Sequence, residues 1–433
     1  MEWYLQGILV AIAILMLLAI RMPLGFVFGV VGAGGILVTT GRLSLLTAIS
    51  QCLHDMLSDF VLITIPLFVL MAELLSVAGF IPDLYASIEK WTGRMRGSLA
   101  ITTIAVSALF AAVTGSSYVE TACLGRMTLP EMLGRGYKKH FAAAAVSAGG
   151  SLGILIPPSL AFVIYGYMSG ASIAALFMAG IIPGVILSSL FILCILIWCK
   201  LFPDIAGKGP LASLGEKVRG SIKLIPIVSI AIVLLGSIYL GVATPAEAAA
   251  LGCIFSLLFC WFYRKLNWQM FIGSIKRAGA SSGFLLLLMG TAKILSFMLA
   301  KAGIMYGLQE VFTALPQWIF ILIIYLTLTV LGLFLEGTSI IVLTTPIFAP
   351  AMSAFGLDLV WYGVILVLFI EIGLQTPPVG MNCYITAEVG RSFGIRLEDV
   401  FRGIVPFITA MVVAAILVTL IPSLALWLPS TMR

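Results

Sequence analysis

Two short stretches of the 433-residue chain combine backbone breakers with neutral oxygen donors. The first is Gly153-Ile154-Leu155-Ile156-Pro157-Pro158-Ser159, the second Gly373-Leu374-Gln375-Thr376-Pro377-Pro378-Val379-Gly380, and both interrupt long apolar runs. Adjacent prolines remove two backbone donors and push the preceding residues out of helical geometry, so carbonyl groups there lose their helical partners. Two polar tips, Thr114-Gly115-Ser116-Ser117 and Glu336-Gly337-Thr338-Ser339, split apolar segments in the same way. Carbonyls, hydroxyls and amides with almost no acid among them suit a monovalent cation such as sodium, whereas calcium or magnesium would want carboxylates. The candidate sodium ligands are Thr114, Ser117, Gly153, Ile156 and Pro158 in the first half of the chain, and Gly337, Gly373, Thr376 and Val379 in the second. Helix N-termini beyond the tips and breaks favour a carboxylate through their free amides and dipoles. Ser116, Ser117, Ser159, Thr338, Ser339 and Asn382 are therefore the candidate substrate contacts.

Each of these residues also has a plainer reading. Gly and Ser in membrane helices serve close packing as often as ligand binding; what favours a site is the whole tip-plus-break constellation, present twice. Glu73, Lys293 and Glu371 lie inside apolar segments, where a charge is costly and either functional or structurally paired. His54 and Asp55 fall in SLLTAISQCLHDML, which reads as an interfacial amphipathic helix. The Gly-rich VFGVVGAGGILV lacks the strand-and-helix setting of a dinucleotide site and reads as helix packing. Seven cysteines without a C-x-x-C pair and two histidines 86 positions apart argue against a disulfide framework, a zinc site or histidine catalysis. No G-x-x-x-x-G-K-[ST] or H-E-x-x-H segment occurs, so any transport must draw on a gradient rather than on ATP.

The elements that position these residues must be membrane helices. The chain is 61% hydrophobic and only 10% charged, against about 25% charged in a soluble domain. The net charge of +6 comes from short basic clusters between apolar stretches, which report orientation rather than a nucleic-acid surface. Apolar stretches near the length needed to cross about 30 Å of hydrocarbon occur at 4–20, 23–40, 58–78, 173–199, 224–240, 244–263, 281–300 and 404–428. The N-terminal stretch has an acid and no Lys or Arg ahead of its apolar core, so it reads as a span rather than a signal peptide. Segments 98–131 and 317–350 read as re-entrant hairpins, and 141–168 and 359–390 as broken helices.

The landmarks repeat in register. Gly115 and Gly337 are 222 residues apart, Gly153 and Gly373 are 220 apart, as are the two Pro-Pro pairs, and Pro23 and Pro245 are 222 apart. The expected fold is an all-α polytopic membrane protein built from a duplication, with about ten spans, two hairpins and two broken helices. Repeat one covers 1–200, a cytoplasmic connector 201–223, and repeat two 224–433, each repeat running three spans, a hairpin, a broken helix and a final span. Lys90, Arg94, Arg96, Arg135, Lys138 and Lys139 flank the first hairpin, whereas no basic residue lies between Lys301 and Arg391 around the second. The halves are thus expected to be inverted, with both termini extracytoplasmic; Arg42 and Lys301 dissent. An inverted repeat with paired hairpins and broken helices points to a secondary transporter, with its sites at the discontinuities near the midplane.

The segments GSSYVETACLGRMTLPEMLGRGYKKHFAAAAVSAGGSLGILIPPS, ASIAALFMAGIIPG and LTTPIFAPAMSAFGLDLVWYGVILVLFIEIGLQTPPVGMN carry a likeness over essentially the whole chain. On these the sequence resembles the large membrane subunit of the tripartite ATP-independent periplasmic (TRAP) transporters. The resemblance implies a bacterial or archaeal inner-membrane protein coupling uptake of organic acids to sodium. It also implies a separate small four-helix membrane subunit, a periplasmic substrate-binding protein, and an elevator-like mobile domain carrying both hairpins. Competing readings are a stand-alone sodium–carboxylate symporter of similar fold, an intramembrane enzyme and a structural membrane scaffold.

Overall fold

A computed structural model describes residues 2–432 apart from 41, 94, 208, 210 and 211, with side chains described outside 39–46. Arg94 and the Arg42 side chain, both used above for orientation, lie outside the described residues.

The described residues are predominantly helical. The first half runs α1 (Trp3–Ala19), α2 (Leu24–Thr40), α3 (Arg42–Leu57), α4 (Thr64–Val77), α5 (Phe80–Thr92), α6 (Ser98–Thr114), α7 (Ser117–Gly134), α8 (Lys139–Gly150), α9 (Leu160–Ser169) and α10 (Ile173–Leu201). A connector helix, α11 (Leu214–Ser221), leads to α12 (Ile225–Tyr239), α13 (Pro245–Phe262), α14 (Trp268–Lys301), α15 (Ile304–Thr313) and α16 (Gln317–Gly332). The chain ends with α17 (Gly337–Ala354), α18 (Leu359–Gln375), α19 (Met381–Gly390), α20 (Leu397–Leu420) and α21 (Ser423–Ser430). Seven helical segments among the described residues are long and apolar enough to cross a membrane. The fold is that of an all-α polytopic membrane protein.

Local chemistry explains where the helices begin and stop. Asp358 accepts the Val360 and Trp361 amides at 2.7 and 3.2 Å and so caps α18. Thr244 and Glu247 form a reciprocal capping box at the start of α13, with Pro245 at its first turn. At each break the prolines stop the helix: α8 ends in a short 3-10 turn before Pro157, and α18 ends at Gln375 before Pro377. Both Pro-Pro peptide bonds are cis.

Two expectations needed revision. The last expected span, 404–428, is divided, because Pro422 follows Ile421 and α20 stops at Leu420 before α21 starts. The apolar stretch 281–300 is only the second part of the 34-residue α14, whose polar first turns extend it back to Trp268.

Close packing in a bilayer needs small residues rather than apolar burial alone. Gly25, Gly29, Gly32 and Gly35 line the face of α2 that lies on Leu288, Thr291, Leu295 and Met298 of α14; a methyl group at Gly32 would sit 2.8 Å from the Leu295 nitrogen. Gly34, on the other face, has nothing within 4 Å. This stripe is the Gly-rich segment noted above, and it packs helices. In α3, His54 and Asp55 are exposed while Cys52 and Met56 are buried, the amphipathic pattern expected there.

α6 and α7 form a helical hairpin turning at Gly115-Ser116, and α16 and α17 form a second one turning between Leu333 and Glu336. The return limb of each hairpin packs against the post-break helix of the other half: α7 on α19, and α17 on α9. That crossed packing brings the tips and breaks of the two halves together.

Candidate functional site

The first elbow is assembled from tip one and break one. Gly115 ends α6 with φ of +59°, a left-handed turn that glycine adopts without strain. A methyl group there would lie 3.1 Å from both the Pro158 carbonyl oxygen and the Leu160 nitrogen, so the tip touches the break directly. Gly153 is equally close to the tip: a methyl on it would meet the Glu120 carboxyl and would lie 3.0 Å from the Ser116 carbonyl oxygen. Thr114 donates to Glu120 at 3.4 Å, and the Ser107 hydroxyl lies within hydrogen-bond reach of both the Glu120 carboxyl and, at 2.5 Å, the Gly149 carbonyl.

The second elbow is built the same way. Gly373 and Gly332 approach until a methyl on either would lie 2.7 Å from the other's Cα, which seats hairpin two against break two. Gly337 faces Ile370 and Leu374 of α18, and also Ile154 of break one. Thr376 donates its hydroxyl to the Ile372 carbonyl at 2.6 Å, and its amide to the Gly373 carbonyl at 3.1 Å.

One carboxyl joins the two elbows. Ser117, at tip one, donates to Glu371 of α18, and Asn382 of α19 donates to the same carboxyl at 3.0 Å. The Asn382 side-chain amide oxygen, Oδ1, is buried without a hydrogen-bond partner among the described residues. Beside it, Ser147 and Gln375 exchange hydrogen bonds of 2.6 and 2.7 Å across the halves. Glu120 and Glu371 are 0% and 1% exposed, and neither has a basic side chain within 4.0 Å among the described residues.

The sequence reading that acids are nearly absent from the breaks is therefore corrected. Glu371 is two residues from Gly373, and Glu120 is more than thirty residues from break one, yet helix packing delivers one carboxyl to each elbow. Glu371 was visible as an intramembrane acid. Glu120 was not, because its proximity to Gly153 depends on how α7 lies on α8.

The tips border a cavity of about 540 Å³ facing α4 and α14. Thr114, Ser116, Ser117, Gly337 and Thr338 line it, together with Glu73, Ser76, Ser281 and Glu336. Gly153, Ile156, Pro158, Gly373, Thr376, Val379 and Asn382 are not in its lining. Two candidate substrate contacts turn inward: Ser159 is fully buried and donates to the Ile154 carbonyl at 2.6 Å, and Ser339 is buried and donates to Glu336 at 3.1 Å. Thr338 also donates to Glu336, at 2.9 Å. Of the other intramembrane charges, Glu73 pairs with Arg277 at 2.7 Å, and the Lys293 ammonium lies 3.4 Å from the Tyr167 hydroxyl.

Residues 11–424 match the family described as the tripartite ATP-independent periplasmic transporter, DctM component. The chain belongs to this DctM family. It is 32% identical to the C4-dicarboxylate TRAP transporter large permease of Pseudomonas aeruginosa, over 87% of this chain and 88% of that one. It is 30% identical to the isethionate TRAP transporter permease DctMQ of Oleidesulfovibrio alaskensis, over 95% of this chain but only 64% of that longer protein. The Alcanivorax borkumensis YdaH transporter, whose crystal structure has an unusual topology, shares the fold with a TM-score of 0.68 at 13% identity, covering 90% of each chain. A DctM-family chain is a transporter permease, not an enzyme.

Proposed function

We propose that this DctM-family chain is the large permease of a sodium-coupled importer of a small organic anion. The observation that carries the reading is that both tips open on one cavity, with a break packed against each and two buried carboxyls, Glu120 and Glu371, beside them. A single carboxylate among neutral oxygens matches the single charge of sodium, and a buried carboxylate without a basic partner costs several kcal/mol unless a cation or equivalent compensates it. Thr114, Ser117, Gly153, Ile156 and Pro158 hold one sodium, and Gly337, Gly373, Thr376 and Val379 a second.

The substrate lies in the cavity, against Ser116, Ser117 and Thr338, where the first turns of α7 and α17 offer amides to a carboxylate. The two relatives named above are permeases for C4-dicarboxylate and isethionate, both small organic anions, which supports that substrate class here. Hairpins, broken helices, α10 and α20 move as a body past α4 and α14 in an elevator-like step, and the halves form an inverted repeat with both termini extracytoplasmic. A periplasmic binding protein and a small membrane subunit complete the system, as the family's tripartite description suggests. The membrane is the bacterial or archaeal inner membrane.

Sodium drives the cycle only if it binds the loaded carrier better than the empty one, and linkage makes that reciprocal. In proteoliposomes containing the complete system, Ser117→Ala and Thr376→Ala should each weaken sodium activation of carboxylate uptake by about tenfold. Unchanged sodium activation in both variants would overturn the site assignment.

A further inference from the structure

On the far side of α10 from the elbows, the structure holds a groove that the transport reading does not use. Its inner part, a slot of about 470 Å³ between α10 and α20, is lined by Leu193, Cys194, Ile197, Pro406, Ala410 and Val413 among others. Its mouth, of about 440 Å³, is lined by Lys138, His140 and Asp204. Trp198, Leu201 and Phe202 border both spaces and make them continuous. From Leu190 to Leu201 the slot follows α10 for about 16 Å at 1.5 Å per residue, roughly half of the ~30 Å hydrocarbon core and so the depth of one leaflet. The mouth lies where three polar loops gather: the Lys138 amide donates to the Ile205 carbonyl at 3.0 Å, and the Lys139 ammonium to the Gly394 carbonyl at 2.9 Å.

The charges at the mouth are unspent. Lys138 and Asp204 are exposed, and neither side chain has an ion-pair or hydrogen-bond partner among the described residues. Arg402 and Asp399 stand near His140, but Asp399 already accepts the Arg396 amide at 3.0 Å. An apolar slot one leaflet deep, opening to the unpaired Lys138 ammonium and Asp204 carboxylate in its lining, is complementary to an acyl chain carrying a zwitterionic head. A phosphate pairs with Lys138 beside the His140 ring, and a primary ammonium pairs with Asp204. A quaternary amine lacks the N–H groups to donate to that carboxylate.

We propose that this groove binds one phospholipid with a primary-amine headgroup, its acyl chain in the slot between α10 and α20 and its headgroup bridging Lys138 and Asp204. The bound lipid rides on the outer face of the two helices that pack against the broken segments.

Native mass spectrometry of the purified chain tests this, with phosphatidylethanolamine, phosphatidylcholine, phosphatidylglycerol and tail-less glycerophosphoethanolamine as probes. One phosphatidylethanolamine should bind about tenfold more tightly than phosphatidylcholine, the scale of one charge-assisted hydrogen bond. Asp204→Asn should abolish that preference, Lys138→Gln should weaken all three lipids, and Leu193→Trp, at a half-exposed slot position, should reduce lipid binding while thermal unfolding stays as in the parent. Equal affinity for the ethanolamine and choline lipids, or a preference that survives Asp204→Asn, would overturn the headgroup assignment. Tighter binding of phosphatidylglycerol would make the site anion-selective and contradict it as well. Equal binding of the tail-less probe, or lipid binding indifferent to Leu193→Trp, would remove the slot from the account. A chain dimer that Leu193→Trp dissolves would put a second copy there instead.

Discussion

At the scale of single residues, the neighbours of a few buried groups leave them little choice. Glu371 accepts from Ser117 and Asn382 while almost wholly buried. Glu371→Ala would orphan both donors, at about 1–3 kcal/mol each, whereas Glu371→Gln keeps an acceptor for at least one of them. Thermal unfolding should therefore rank the parent above Gln and Gln above Ala; an Ala variant as stable as the parent would show that the clasp is not formed. Gly115 has a left-handed backbone and Pro158 and Leu160 as close neighbours, so Gly115→Ala should lose about 1–2 kcal/mol from backbone strain alone. The hydroxyl-bearing tips and the Pro-Pro breaks were legible in the sequence because their chemistry is local. Glu120 and the inward turns of Ser159 and Ser339 were not. They depend on which helix face meets which, and a spacing of residues along the chain does not carry that information.

At the scale of elements, glycine placement decides which helices can approach. The α2 stripe fits α14 only where a side chain is missing. Gly32→Leu should push the Leu295 backbone away and cost about 1–3 kcal/mol by overpacking, while Gly34→Leu, pointing into open space, should stay within about 0.5 kcal/mol of the parent. Comparing the unfolding midpoints of the two variants checks the orientation of α2. The hairpins and broken helices were readable as elements from their breakers and polar tips. Their mutual arrangement, with α7 on α19 and α17 on α9, was not, since apolar helices of similar composition carry no pairing code of their own in lipid. The division of α20 from α21 at Pro422 was overlooked because hydropathy continued across it.

At the scale of the whole molecule, three distant segments are tied together on one face. Asp83 of the amphipathic α5 pairs with Lys223 after the connector helix, at 2.9 Å, and with Lys265 of the α13–α14 loop, at 2.5 Å. Partial burial raises the Asp83 carboxyl, but hydrogen bonds from Lys223 and Lys265 outweigh it and hold the group below its usual value. A depressed folded value means the tie contributes fully above the ordinary carboxylate range and is lost as pH falls through it toward the lower folded value. Because the pairs are partly exposed, Asp83→Asn should cost only about 0.2–1 kcal/mol per pair at neutral pH, and the difference from the parent should vanish in acid. An Asn variant whose deficit persists unchanged in acid would show that charge is not what the tie supplies. The two elbows also differ in access: Pro157 and Pro158 are buried, whereas Pro377 and Pro378 are exposed, so this conformation opens the second break to its surroundings and closes the first.

The account rests on the elbows being sodium sites, and the most direct measurement is thermal unfolding of the purified chain in sodium against equal concentrations of potassium. Sodium at about 100 times its dissociation constant should add about 2.7 kcal/mol of stability per site, and Ser117→Ala and Thr376→Ala should each remove part of that gain. Identical unfolding curves in sodium and potassium, or a sodium effect untouched by both substitutions, would contradict it.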